Sequence, residues 1–139
     1  MNHVATYRVY YEDTDAGGVM YHANYLKFCE RGRTEFLHAL GYTNASLREE
    51  TGVIFVVRHI DAHYLRPCYL EDALTVRSAV TGLKNASFTM RQEILRQGAD
   101  DPAFYQDIVL VCVDEDAKPV GMPPALRASM EPYQGKKQQ

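Results

Sequence analysis

Asp13 and Asp15 stand just ahead of the glycine pair Gly17 and Gly18, and His22 follows shortly after, inside the run from Tyr10 to Tyr25. These residue types suit carbonyl chemistry. An aspartate in ordinary surroundings has a pKa of about 3.9 and is ionised at neutral pH, so Asp15 can act as a base or a nucleophile without special tuning. His22 falls where the pattern predicts the start of a helix, and the first N–H groups of a helix have no partner within it. Such a donor can hold a polarised carbonyl oxygen, so the backbone of His22 matters at least as much as its imidazole. Two blander readings stay open at this point. Turn aspartates commonly bond nearby backbone N–H groups, and the imidazole can serve as a hydrogen-bonded packing group.

The elements around this stretch must place a carboxylate against a helix start. Residues 4 to 11 are rich in Val, Thr and Tyr and predict a first strand, ended by the glycine turn. From Ala23 to about Leu40, Tyr25, Leu26, Cys29, Phe36, Leu37 and Leu40 form one apolar stripe at helical period, with Gly41 as the stop. Charged positions on that helix, such as Glu30 with Arg33 and Arg31 with Glu35, read as a solvated face, with one or two free to line an interface. The polar link from Thr43 to Thr51 can hold a short helical turn. Val53 to Val57 is apolar at every position and predicts a strand covered on both faces, which a short chain achieves most easily by pairing with a second copy.

Residues 73 to 81, 86 to 95 and 103 to 113 predict three further strands, with Leu74, Val76 and Val80 inward on the first and Phe88, Met90 and Ile94 inward on the second. Gly82 to Asn85 reads as a hairpin loop, and Pro123 to Met130 as a short helix with proline in its first turn. Successive strands with short links exclude parallel neighbours, which need long crossovers. The expected fold class is therefore α+β, a five-stranded antiparallel sheet curved around one helix. That helix, of roughly 18 residues and 27 Å, matches the width of such a sheet. One domain over residues 1–133 is expected, with 134–139 a disordered tail.

Composition narrows the function classes. A formal net charge of −3 argues against a nucleic-acid partner, which would call for a basic surface. No apolar run approaches the ~20 residues of a membrane-spanning helix, and the N-terminus lacks a signal pattern, so a cytoplasmic protein without a transmembrane segment is expected. Cys29, Cys68 and Cys112 are odd in number and widely spaced, which suits neither a disulfide framework nor a zinc site. His59 and His63 are four apart, but on a strand that spacing spans roughly 13 Å and cannot clamp one metal ion. The chain has no G-x-S-x-G elbow and no phosphate-loop frame. No metal and no cofactor is called for.

Taken together, Tyr10-Tyr11-Glu12-Asp13-Thr14-Asp15-Ala16-Gly17-Gly18-Val19, Tyr21-His22-Ala23-Asn24-Tyr25 and Glu30-Arg31-Gly32-Arg33-Thr34-Glu35-Phe36-Leu37 closely resemble the hotdog-fold acyl-CoA thioesterases of the 4-hydroxybenzoyl-CoA thioesterase family. Within it, the resemblance points to the bacterial branch associated with the Tol-Pal cell-envelope system. It implies a hotdog fold, a homodimer that can pair into a homotetramer, and active sites at the subunit interface. It also implies Asp15 as the catalytic carboxylate and His22 as the residue whose backbone N–H polarises the thioester carbonyl. Gly17, Gly18, Tyr21 and Asn24 would shape the substrate pocket, and Lys84 is the counterpart of residues that bind the phosphates of coenzyme A. The implied activity is hydrolysis of an acyl-CoA, by activation of water or by direct attack of Asp15. A module that binds acyl-CoA or acyl carrier protein without hydrolysing it is the competing expectation. A hotdog dehydratase would need His38 and Glu35 in a motif that the surrounding residues do not form.

Overall fold

A computed structural model describes residues 1–135; residues 136–139 of the expected tail lie outside the described residues. Strand β1 (His3–Arg8) is followed by a 3-10 turn (Tyr11–Asp13), helix α1 (His22–Ala39), helix α2 (Asn44–Thr51), strands β2 (Ile54–Tyr64), β3 (Ala73–Leu83), β4 (Ser87–Arg96) and β5 (Phe104–Val113), and helix α3 (Pro124–Met130). The strands form one sheet in the order β1-β3-β4-β5-β2, antiparallel at every pairing. Gln134 bridges to Val80, and the Gly135 N–H donates to the Val80 carbonyl, so the chain is still anchored to β3 at those positions.

β1 ends at Arg8 and does not continue to residue 11. The Val9 N–H is taken by the Asp72 carbonyl and the Tyr10 N–H by the Asp13 carboxylate, which turns the chain out of the sheet before a longer strand can form. Gly82 and Leu83 extend β3, so the hairpin narrows to residues 84–86, closed by the Lys84 N–H on the Ser87 carbonyl. Thr43 and Ser46 cap the start of α2 reciprocally, satisfying two backbone donors that would otherwise be orphaned.

α1, 18 residues long, lies against β1, β3 and β4. Close approach is possible because Gly32 faces the sheet: a Cβ there would stand 2.6 Å from Val76 Cγ1. The core beneath the helix is split in two. Phe36, Leu37, Val80, Phe88, Met90 and Ile108 belong to one apolar cluster, and Tyr25, Phe28, Val76, Ile94 and Phe104 to the other.

Between them runs a polar row, Ser78, Gln92 and Gln106, fully buried and paired in register across β3, β4 and β5. Gln92 Nε2 donates to the Cys29 carbonyl and to Ser78 Oγ, while its Oε1 accepts from Gln106 Nε2 and from Arg33 Nη1. Burial of such groups is tolerated because most of them find partners. On the opposite face the sheet is charged. Arg77 meets Glu93 and Arg91 meets Asp107 as direct cross-strand pairs.

β2 is an edge strand. A bulge between Val57 and His59 shifts its register, so that Phe55 and Val57 before it and Ile60, Ala62 and Tyr64 after it oppose the inward positions of β5. This chain alone does not cover the Val53–Val57 run on both faces: Val56 and Val57 are 42% and 48% exposed.

Candidate functional site

The loop between β1 and α1 is built from its own backbone. Asp13 is buried; Oδ2 accepts from the Tyr10 N–H, and its carbonyl accepts both the Tyr21 N–H and Asn24 Nδ2 at 2.9 Å. Its carboxylate therefore shapes the turn, and its carbonyl ties that turn to the start of α1. Beyond it the chain doubles back: Thr14 bridges Met20, the Asp15 N–H donates to the Val19 carbonyl, and Val19 bridges Tyr69. Gly18, at φ 81°, supplies the left-handed residue that this reversal needs.

Asp15 sits exposed at the tip. Its Oδ1 accepts from the Gly17 N–H at 2.8 Å, a local turn bond that fixes the carboxylate's direction. Among the described residues, Oδ2 has no partner and remains available. The turn bond thus occupies one carboxylate oxygen and leaves the other free.

α1 starts after Tyr21 without a side-chain cap. The Asn24 N–H is taken by the Tyr21 carbonyl, whereas those of His22 and Ala23 find no acceptor among the described residues. An uncapped helix start with its dipole's positive end open to solvent is suited to an anion or a developing oxyanion. The His22 imidazole is exposed, 4.4 Å from the Tyr21 ring between centroids.

Sequence reasoning missed the groups that brace this helix start from across the fold. Tyr64 Oη, at the end of β2, donates to the His22 carbonyl at 2.8 Å. The Cys68 N–H donates to Tyr25 Oη, while the Cys68 carbonyl accepts from the Met20 N–H. Burial pushes the Tyr25 phenol well above its ordinary pKa and the Cys29 thiol up to about 12. Neither group ionises near neutrality, and all three cysteines are free and buried.

Asp15, Gly17, Gly18, Tyr21, His22 and Asn24 thus gather at one loop–helix junction. Lys84 does not join them. It lies past the far end of β3, roughly 36 Å from Ala73 at ~3.3 Å per residue, and its carbonyl accepts from Arg127 of α3. His63 stacks on Tyr105 and approaches Asp61 at 3.2 Å. Among the described residues no group of three or more His, Cys, Asp or Glu is placed to hold a metal ion.

Comparison with known proteins supplies the family. The acyl-CoA thioesterase YbgC of Haemophilus influenzae is 41% identical over 123 residues, covering 88% of this chain and 89% of that protein. The 1,4-dihydroxy-2-naphthoyl-CoA hydrolase of Thermosynechococcus vestitus is 31% identical over 98 residues, 70% of this chain and 67% of that protein. The crystal structure of a probable thioesterase from Bartonella henselae superposes with a TM-score of 0.83 at 36% identity, covering 88% of this chain and all of that one. With residues 9–130 matching the corresponding family model, the chain belongs to the thioesterase-like superfamily.

Proposed function

We propose that this protein is an acyl-CoA thioesterase, hydrolysing the thioester of an acyl-CoA to the free acid and coenzyme A. The observation that carries the reading is a free Asp15 oxygen on the loop that leads into α1, together with N–H groups at the α1 start that have no acceptor among the described residues, in a chain whose relatives include acyl-CoA thioesterases. The thioester carbonyl oxygen accepts from the His22 N–H, so negative charge developing on it is held by a fixed donor. Asp15 then takes a proton from water as the water oxygen bonds the carbonyl carbon. Alternatively, its own oxygen makes that bond, and water cleaves the resulting anhydride. The C–S bond breaks, and coenzyme A leaves as a thiolate, a tolerable leaving group because thiol pKa values lie near about 8.5.

Within this reading the chain acts as a single domain over residues 1–133, of hotdog type with α1 as the helix that the sheet curves around. It belongs with the 4-hydroxybenzoyl-CoA thioesterases of the Tol-Pal-associated branch and works in the cytoplasm. The assembly is a homodimer or homotetramer, because Asp15 and His22 lie on an open surface in the single chain and a thioester site must exclude bulk water. Lys84, remote from Asp15 of its own chain, would meet coenzyme A phosphates bound at another copy's site.

The test is thiol release from a panel of acyl-CoAs by the wild type and by Asp15→Asn. Loss of about 10²- to 10⁴-fold in turnover with ligand binding kept supports the assignment. Absence of turnover by either form, with acyl-CoA or acyl carrier protein still bound, makes the protein a binding module.

A further inference from the structure

Between α1 and the sheet lies a cavity of about 250 Å³ that the mechanism above does not use. Phe36, Phe55 and Phe88 line its apolar part, and Glu30, Arg33 and Thr34 line its polar part. Whole-ligand pockets run from about 300 Å³ upward, so this space suits one end of a molecule. Arg33 is the unusual member. It is partly buried against Gln92, and desolvation works against its charge. Among the described residues it has no ion pair, and Nη1 to Gln92 is its single hydrogen bond. A guanidinium has five donors, so most of them are unspent beside an apolar cavity, while Glu30 offers an acceptor at the same edge.

The same two elements, α1 and β2, reach both the cavity and the candidate site. Tyr64 meets His22 where β2 ends, and Phe55 and Val57, earlier on the same strand, reach the cavity beside Arg33 and Leu37 of α1. Leu26, Ile60 and Ala62 lie partly buried between the two ends. From His22 to Arg33 the helix rises roughly 16 Å at 1.5 Å per residue, the reach of an extended chain of about twelve carbons.

We propose that the cavity receives the far end of a linear, hydroxylated acyl group of about twelve carbons, its hydroxyl accepting from Arg33 and donating to Glu30. The inference rests on the thioesterase reading and names the substrate class of that same site. A methyl-ended chain would leave the Arg33 donors unmet; a carboxylate would be repelled by Glu30.

The experiment compares kcat/KM for butyryl-, dodecanoyl- and ω-hydroxydodecanoyl-CoA. The hydroxylated thioester should exceed dodecanoyl-CoA by about tenfold, the worth of one hydrogen bond to a charged group, and Arg33→Met should bring that ratio close to one. Thr34→Phe, which narrows the cavity without touching the buried glutamines, should lower the ratio of hydroxylated to butyryl turnover by about tenfold. Each readout is a ratio within one enzyme, so partial unfolding does not imitate it, and Thr34→Phe decides the matter if Arg33→Met does not fold. Turnover of butyryl-CoA without preference for the hydroxylated chain, or ratios unchanged in the variants, overturns this inference and leaves the thioesterase reading standing. No turnover of any thioester overturns both.

Discussion

At the scale of single residues, the proposed mechanism depends on how firmly the His22 peptide is held, because an oxyanion donor works only if it is already aimed. The peptides flanking that donor are restrained on both sides. Asp13 fixes Tyr21 and Asn24 through its carbonyl, and Tyr64 fixes the carbonyl of His22 itself. The Tyr64 hydroxyl can be removed with little disturbance, since the residue is 48% exposed and its ring keeps its edge contacts with Tyr25 and Phe104. A neutral hydrogen bond contributes about 0.5–1.5 kcal/mol net. Tyr64→Phe should therefore lower kcat roughly two- to tenfold with KM nearly constant and the melting temperature only a few degrees lower, because the bond acts on helix-start geometry. Steady-state kinetics on an acyl-CoA substrate checks this, and an unchanged kcat would show that Tyr64 does not aim the donor.

At the scale of elements, Gly32 tests how α1 is seated. In a helix interior alanine is favoured over glycine by about 1 kcal/mol, so propensity alone predicts that Gly32→Ala stabilises. Packing predicts the reverse. The added methyl would stand 2.6 Å from Val76 Cγ1 and 3.4 Å from Gln92 Nε2, and Val76 is fully buried. Overpacking of this kind costs about 1–3 kcal/mol, and the displaced group is a rigid β-branched side chain, so the net effect should be a melting temperature several degrees lower. Thermal unfolding followed by circular dichroism decides the sign.

The same contrast explains what was legible in the sequence. The alternation of Leu74, Val76 and Val80, and of Phe88, Met90 and Ile94, revealed β3 and β4 because burying one sheet face forces that period. Ser78 and Gln92 occupy inward positions of those strands and Gln106 one of β5, yet all three look like breaks in the pattern. Their partners come from three strands and a helix, and appear only once register is known. The loop from Asp13 to Asn24 was legible because most of its hydrogen bonds are local. Tyr64, 42 residues from His22, left no local trace, and the spacing of Lys84 in sequence gave no sign that β3 would carry it away from Asp15.

At the scale of the whole molecule, the unpaired edge of β2 and the openness of the site have one explanation in the proposed assembly. An edge strand of eleven residues with Val56 and Val57 exposed is a template for another strand, a hazard that proteins otherwise blunt with short edges or inward charges. Around the α1 start, Tyr21, Tyr64, Leu65 and Tyr69 are each between 42% and 52% exposed, more apolar surface than an isolated active site would gain from. Pairing of two copies along β2 would cover the edge and bring a second wall toward Asp15. Val56 tests the link, because it does not line the α1–β2 cavity and a change there leaves the loop from Asp13 to Asn24 untouched. Placing a carboxylate at that position in each copy sets like charges near one another across the shared edge, which is destabilising. Val56→Asp should thus convert the wild-type oligomer to monomer by light scattering and lower kcat/KM for acyl-CoA about tenfold or more, as the site loses its cover. A wild type that is monomeric and fully active would show instead that one chain builds the whole site, and that the exposed edge serves another purpose.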